Sequence, residues 1–155
     1  MLIESLLVAA ALAFADDAKN EPDASAKPAG TAKQAVHKKT PATFALWPAE
    51  KEIIDRTNAE RKRHGLPPLA VDPSLVKTAR NHCYWMASAH TLQHASGAWA
   101  ENIAQGQTSA GHAVSSWMGS SGHRANILNR RHRRIGVAGY RSPRGDIFWC
   151  QQFTE

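Results

Sequence analysis

A chain of 155 residues, 43% hydrophobic and with five Trp, has the apolar bulk for one core and no room for two domains. Its net charge of +6 favours anionic partners: nucleic acid, acidic lipid or anionic wall polymers. The two cysteines, Cys83 and Cys150, are too far apart for a CxxC redox or zinc motif.

The chain opens with an apolar run, Leu6 to Ala15, that is too short to cross a bilayer as a helix. Ala13-Phe14-Ala15 fits the small-x-small rule for signal peptidase, so residues 1–15 read as a cleaved signal peptide, although the leading segment carries Glu4 and no Lys or Arg. Export to a secreted or periplasmic (cell-envelope) location is expected, with no transmembrane segment in the mature protein. In that setting a cysteine pair suggests one disulfide, Cys83 to Cys150. Residues 16–46 are rich in Ala, Lys, Pro, Asp and Thr and read as a disordered linker.

A folded domain is expected over residues 47–155. Residues 49–63 predict a helix with Ile53, Ile54 and Thr57 on one face and Gly65 as its stop signal. Leu66-Pro67-Pro68-Leu69 must be extended. Asp72-Pro73 opens a second helix, whose stripe of Leu75, Val76, Ala79, Cys83 and Met86 faces the core and which ends near His90. Residues 91–107 read as a long loop with a short helical turn at Glu101–Ala104. A third helix spans 108–119, and Ser121 caps a short fourth one through Leu128. Arg134–Tyr140 and Ile147–Phe153 flank a turn and read as an antiparallel hairpin. Trp149, Gln151 and Phe153 share one face of the last strand, and Phe148 and Cys150 the other. Helices first and a hairpin last give an α+β fold.

His94, Glu101 and His123 are the side chains best placed for chemistry, since imidazoles and carboxylates suit a divalent cation or acid–base work near neutral pH. Scattered histidines are more commonly structural, and His82 beside its helix stripe reads that way. The serines Ser115, Ser116, Ser120 and Ser121 precede His123, but no G-x-S-x-G elbow accompanies them. Arg130, Arg131, Arg133 and Arg134 surround His132 in a basic run that could contact a polyanion or simply be solvated. No aromatic residue interrupts the run for base stacking, so no specific nucleic-acid binding is expected.

Six ordered blocks resemble the CAP superfamily (cysteine-rich secretory, antigen 5 and pathogenesis-related proteins; the SCP domain) in its bacterial form. They are Ile53–Arg61 with Gly65–Leu69; Asp72–Leu75 with Ala79-Arg80; Ala100–Ala104; Trp117–Asn129; Arg134–Val137; and Ile147–Phe153. The resemblance implies a three-layer α-β-α sandwich with a central antiparallel sheet, and a cleft lined by His94, Glu101 and His123, with Ser120 at its edge. It further implies that these three could hold zinc or another divalent cation. The fourth ligand, a Glu after the tryptophan, is replaced by Gly119-Ser120-Ser121.

Three functions follow. The first is a monomeric secreted module binding a small molecule, lipid or extracellular polymer. The second is a metal-assisted extracellular hydrolase, a protease or esterase, with Glu101 as ligand or general base. The third is a basic wall- or surface-associated structural protein that docks through its arginines.

Overall fold

The computed structural model describes residues 44–155; the expected signal peptide and the linker up to residue 43 lie outside the described residues. The elements run α1 (Pro48–Arg63), β1 (Ala70–Val71), α2 (Pro73–Ala89), β2 (Ala100–Gln105), α3 (Ala110–Gly119), α4 (Ser121–Ile127), β3 (Arg134–Arg141) and β4 (Ile147–Thr154). Helix α1 begins where the Glu50 carboxylate accepts the Trp47 N–H at 2.8 Å, and it stops before Gly65, whose φ of 68° suits glycine. Asp72 caps α2 by accepting from Ser74 and Leu75 N–H, with Pro73 in the first turn. In α4, Ser121 is the first helical residue rather than the cap; Ser120 holds the cap position.

Glu50 is buried and takes a bidentate ion pair from Arg80 of α2, at 2.7 Å on both arms. The guanidinium also donates to the Ala45 carbonyl at 2.8 Å and lies over the Trp47 ring, 4.2 Å from its centroid. Packing against the domain therefore begins inside the stretch that composition assigns to the linker.

The four strands stand in the order β1-β3-β4-β2. β3, β4 and β2 are antiparallel neighbours, whereas β1 adds two residues parallel to β3. The sheet is thus antiparallel except at this edge, where the extended Leu66–Leu69 segment delivers Ala70 N–H to the Arg133 carbonyl at 2.8 Å. Residues 100–105 depart from expectation: they form a strand along β4, not a loop with a helical turn. Glu101–Ala104 are buried on both faces, which removes the polar–apolar alternation that marks a half-exposed strand.

Helix α2 alone covers one face of the sheet, and α1, α3 and α4 cover the other, giving the three-layer sandwich. Under α2, Ala79, Cys83 and Met86 meet Ile103, Ala138, Phe148 and Cys150. On the far face Ile53, Val114 and Trp117 meet Ile135, Val137, Trp149 and Phe153. The β4 side chains divide between the two layers as their alternation predicts. Gly136 lets α2 sit directly on β3: a Cβ there would fall 2.1 Å from the Leu75 carbonyl carbon. Among the described residues, no helix is long and apolar enough to cross a membrane.

Candidate functional site

Strand β2 is a sheet edge, so consecutive side chains on it serve opposite layers. Glu101 points under α2 and Asn102 points toward α4. The Glu101 side chain is only 4% exposed, yet its carboxylate is fully provided with donors. Oε1 accepts from His94 Nδ1 at 2.8 Å and from the Ala95 N–H at 2.9 Å, with His82 Nε2 at 3.9 Å. Oε2 accepts from Gln152 Nε2 at 2.9 Å and faces the Cys150 thiol at 3.5 Å. Thr78 fixes the direction of Gln152 by donating to its Oε1 at 2.6 Å, which leaves the amide NH2 for Glu101.

Burial alone would raise the Glu101 pKa. The hydrogen bonds from Gln152, Ala95 and His94, together with the field of His82, outweigh it and hold the carboxyl below its ordinary value. The group is ionised at neutral pH, and because a carboxylate only accepts, His94 Nδ1 must carry a proton. The His94 side chain is 60% exposed, and its Nε2 has no hydrogen-bond partner among the described residues. The ring therefore stands with one nitrogen anchored and one open.

Beside it lies a hollow of about 240 Å³ lined by His82, Trp85, Gln93, His94, Ala95 and Ser96. Trp85 is 44% exposed and stacks on His82, with centroids 5.7 Å apart and planes at 12°. His82, expected to be structural, holds the Gln93 carbonyl at 2.7 Å through Nε2 and so shapes the hollow.

His123 takes a different position. Its carbonyl accepts from Asn102 Nδ2 at 3.0 Å, and its half-buried ring does not line this hollow. Burial lowers its pKa, and the nearby His94 lowers it further. Ser120 sits half-buried at the α3–α4 junction, makes no side-chain cap bond and is also absent from the hollow.

The expected disulfide is not formed. Cys83 and Cys150 are free and wholly buried. The two thiols lie side by side: Cys83 Sγ also faces the Ala138 and Phe148 carbonyls at 3.5 Å, and Cys150 Sγ also faces Glu101 Oε2 at 3.5 Å. Burial, with Cys83 and the Glu101 carboxylate alongside, pushes the Cys150 thiol well up, so it stays protonated.

The set of His94, Glu101 and His123 that the resemblance implies for a divalent cation is not assembled as three donors. Among the described residues, no three His, Cys, Asp or Glu side chains converge as a donor set. The Glu101 lone pairs face a backbone N–H, an amide, an imidazole and a thiol, so the carboxylate has none to spare as a third ligand; His94 Nε2 remains open. The same saturation deprives a hydrolytic water of Glu101 as a base.

Asn102 and Gln151 were given no role by the sequence. Asn102 donates to Gln151 Oε1 at 3.1 Å and accepts from Asn126 at 2.9 Å, while Gln151 donates to Thr57 at 2.7 Å. This buried network joins α4, the sheet and α1. The available signal was a polar pair, Glu101-Asn102, set between Ala100 and Ile103-Ala104.

The sequence profile of the cysteine-rich secretory protein family, CAP, matches residues 54–153. The chain belongs to the CAP family. A Bacillus subtilis relative, the uncharacterized protein YkwD, is 35% identical over 153 residues, covering 88% of this chain and 58% of its own length. The structure superposes with a TM-score of 0.63 on an extracellular SCP-domain protein of Bacillus anthracis, at 27% identity, over 73% of this chain and 45% of the other. NaASP2, whose crystal structure was determined with Zn2+, shares the fold at TM-score 0.62 and 14% identity, over 73% and 82% of the two chains. The CAP chain thus spans 58% of the Bacillus subtilis relative's length and 45% of the Bacillus anthracis protein's.

Acid is expected to destabilise this CAP domain in two stages. His123 and His132 both bind a proton less readily folded than unfolded, chiefly through burial. Their stabilisation is complete above the ordinary value of 6.5 and declines as pH falls from there toward the lower folded values. Glu101 adds a second decline below its ordinary 4.5, as the unfolded carboxyl protonates first. Thermal unfolding followed from pH 8 to pH 3.5 should show both; a midpoint that stays level between pH 7.5 and 5.5 contradicts the histidine stage.

Proposed function

We propose that the protein is a secreted CAP-type binding module whose cleft holds a ring-sized polar group, such as one sugar unit of an extracellular polymer, without cleaving it. The observation that carries this reading is the oriented His94 ring, anchored through Nδ1 on Glu101 and open at Nε2 beside Trp85. A hollow of about 240 Å³ is smaller than the ~300–1,000 Å³ typical of drug-sized ligands, which suits a single ring. Trp85 supplies a flat apolar face, and Gln93, His94 and Ser96 supply polar groups at the rim. That mixture favours a sugar over an acyl chain.

Titration of the protein with soluble N-acetylglucosamine oligomers, followed by amide NMR shifts, tests it. Shifts should concentrate at Gln93–Ser96, weaken by tenfold or more in Trp85→Ala and His94→Ala, and leave the oligomer intact. No shift in this segment with sugar oligomers counts against the reading. Cleavage of the oligomer by the parent protein restores the hydrolase instead.

A further inference from the structure

The His94 hollow leaves the basic run unused, and the structure turns that run into a shaped surface. His132 is 6% exposed and points inward, stacking on Phe153 with centroids 5.3 Å apart and planes at 10°. Arg130, Arg131, Arg133 and Arg134 are all exposed. The loop that carries them is fixed: Asn129 Oδ1 accepts the Arg131 N–H at 2.9 Å, Arg133 N–H donates to the Thr154 carbonyl at 2.8 Å, and Arg133 Nη1 donates to the Arg130 carbonyl at 2.6 Å. Beneath it lies a further guanidinium, the buried Arg61, which holds the Ile127, Asn129 and His132 carbonyls. On α4, exposed Arg124 meets His64 at 3.4 Å beside the end of α1.

The positive charge here is poorly compensated. Arg134 has Asp72 at 3.7 Å, and Glu155 lies near His132. Arg124, Arg130, Arg131 and Arg133 make no ion pair among the described residues. Among the described residues the exposed large hydrophobic side chains are Phe44, Trp47, Tyr84, Trp85 and Leu92, and the aromatic side chain beside His132 at the surface is the half-buried Trp99. No aromatic side chain stands among the exposed arginines to stack on successive bases, and none of the exposed large apolar side chains belongs to the arginine loop as a wedge for a bilayer. What this surface offers is a set of exposed guanidinium groups on a fixed backbone, with Arg133 itself held on the Arg130 and His132 carbonyls, and guanidinium groups pair readily with phosphate.

We propose that Arg124, Arg130, Arg131 and Arg133 form a second binding surface, which docks the domain on an anionic phosphodiester polymer of the cell envelope. Binding relieves the mutual repulsion of the arginines and releases the polymer's counterions, so affinity must depend steeply on salt.

The test uses the full chain and soluble poly(glycerol phosphate), with affinity measured between 50 and 300 mM NaCl. The logarithm of the association constant should fall with the logarithm of salt at a slope of about −3, from about −0.7 per contact on a flexible strand. Arg130→Gln with Arg131→Gln, two side chains without an internal hydrogen bond, should reduce that slope by about 1.4 and leave the unfolding midpoint unchanged. Charge reversal at the same two positions should abolish binding, and His94→Ala should leave it intact, which separates this surface from the cleft. Unchanged affinity in the double variant overturns the proposal. So does tighter binding, at equal phosphate, to phosphatidylglycerol vesicles or to duplex DNA.

Discussion

Replacing Arg61 with methionine is expected to cost the domain about 3–5 kcal/mol, because several buried carbonyls lose their donor at once. Arg61 is wholly buried, and its guanidinium donates to four carbonyls, those of Pro67, Ile127, Asn129 and His132, at 2.8 to 3.3 Å. No carboxylate partners it among the described residues. Methionine fills part of the space and can donate to none of the four. Each carbonyl stranded away from water costs about 1–3 kcal/mol, reduced where the loop can relax toward solvent. The loss is a large fraction of the ~5–15 kcal/mol that holds a typical domain folded. Arg61→Lys should fall between, since an ammonium keeps the charge but lacks the planar fork that spans carbonyls on three segments. Urea unfolding monitored by circular dichroism measures both, and a loss below about 1 kcal/mol for Arg61→Met would show that the guanidinium does not clasp α1 to the segment after α4.

Glu101→Gln is expected to destabilise the domain by about 2–4 kcal/mol although it changes one atom. Donors approach both carboxylate oxygens: His94 and Ala95 on one side, Gln152 and Cys150 on the other. An amide has one oxygen. Whichever way the new side chain turns, its NH2 faces an N–H or S–H donor. Turned toward Gln152, the oxygen abandons the Ala95 N–H, and His94 keeps its contact with the NH2 only by moving its proton to Nε2, which changes what the open nitrogen offers a ligand. Oligomer binding in the cleft should weaken along with stability, while retention on the phosphate polymer should not change. Differential scanning calorimetry gives the first quantity. A variant as stable as the parent would mean that Glu101 is not ionised in the folded protein.

The sequence marks the helices by capping and periodicity, because Asp72-Pro73 and the Ile53-Ile54-Thr57 stripe act locally. Where contacts between distant segments decide, it is silent. β2 reads as loop because burial on both faces removes its alternation, and β1 is two residues long, visible only once β3 lies beside it. The His94–Glu101 hydrogen bond joins one resemblance block to its preceding loop, and a short separation of seven residues keeps it within one segment of chain. The other side chains around Glu101 come from α2 and β4, 19 residues before it to 51 after, and no short motif joins them. Burial of His132 within a charged run was likewise unreadable, since it depends on the ring finding Phe153.

Histidine-selective 15N NMR of the full chain at pH 7.5 reads the proton position on His94. An ionised, donor-filled Glu101 requires a protonated Nδ1 on that ring. A His94 whose only proton resides on Nε2 would contradict it, leaving the carboxylate short of a donor and the cleft without its oriented imidazole.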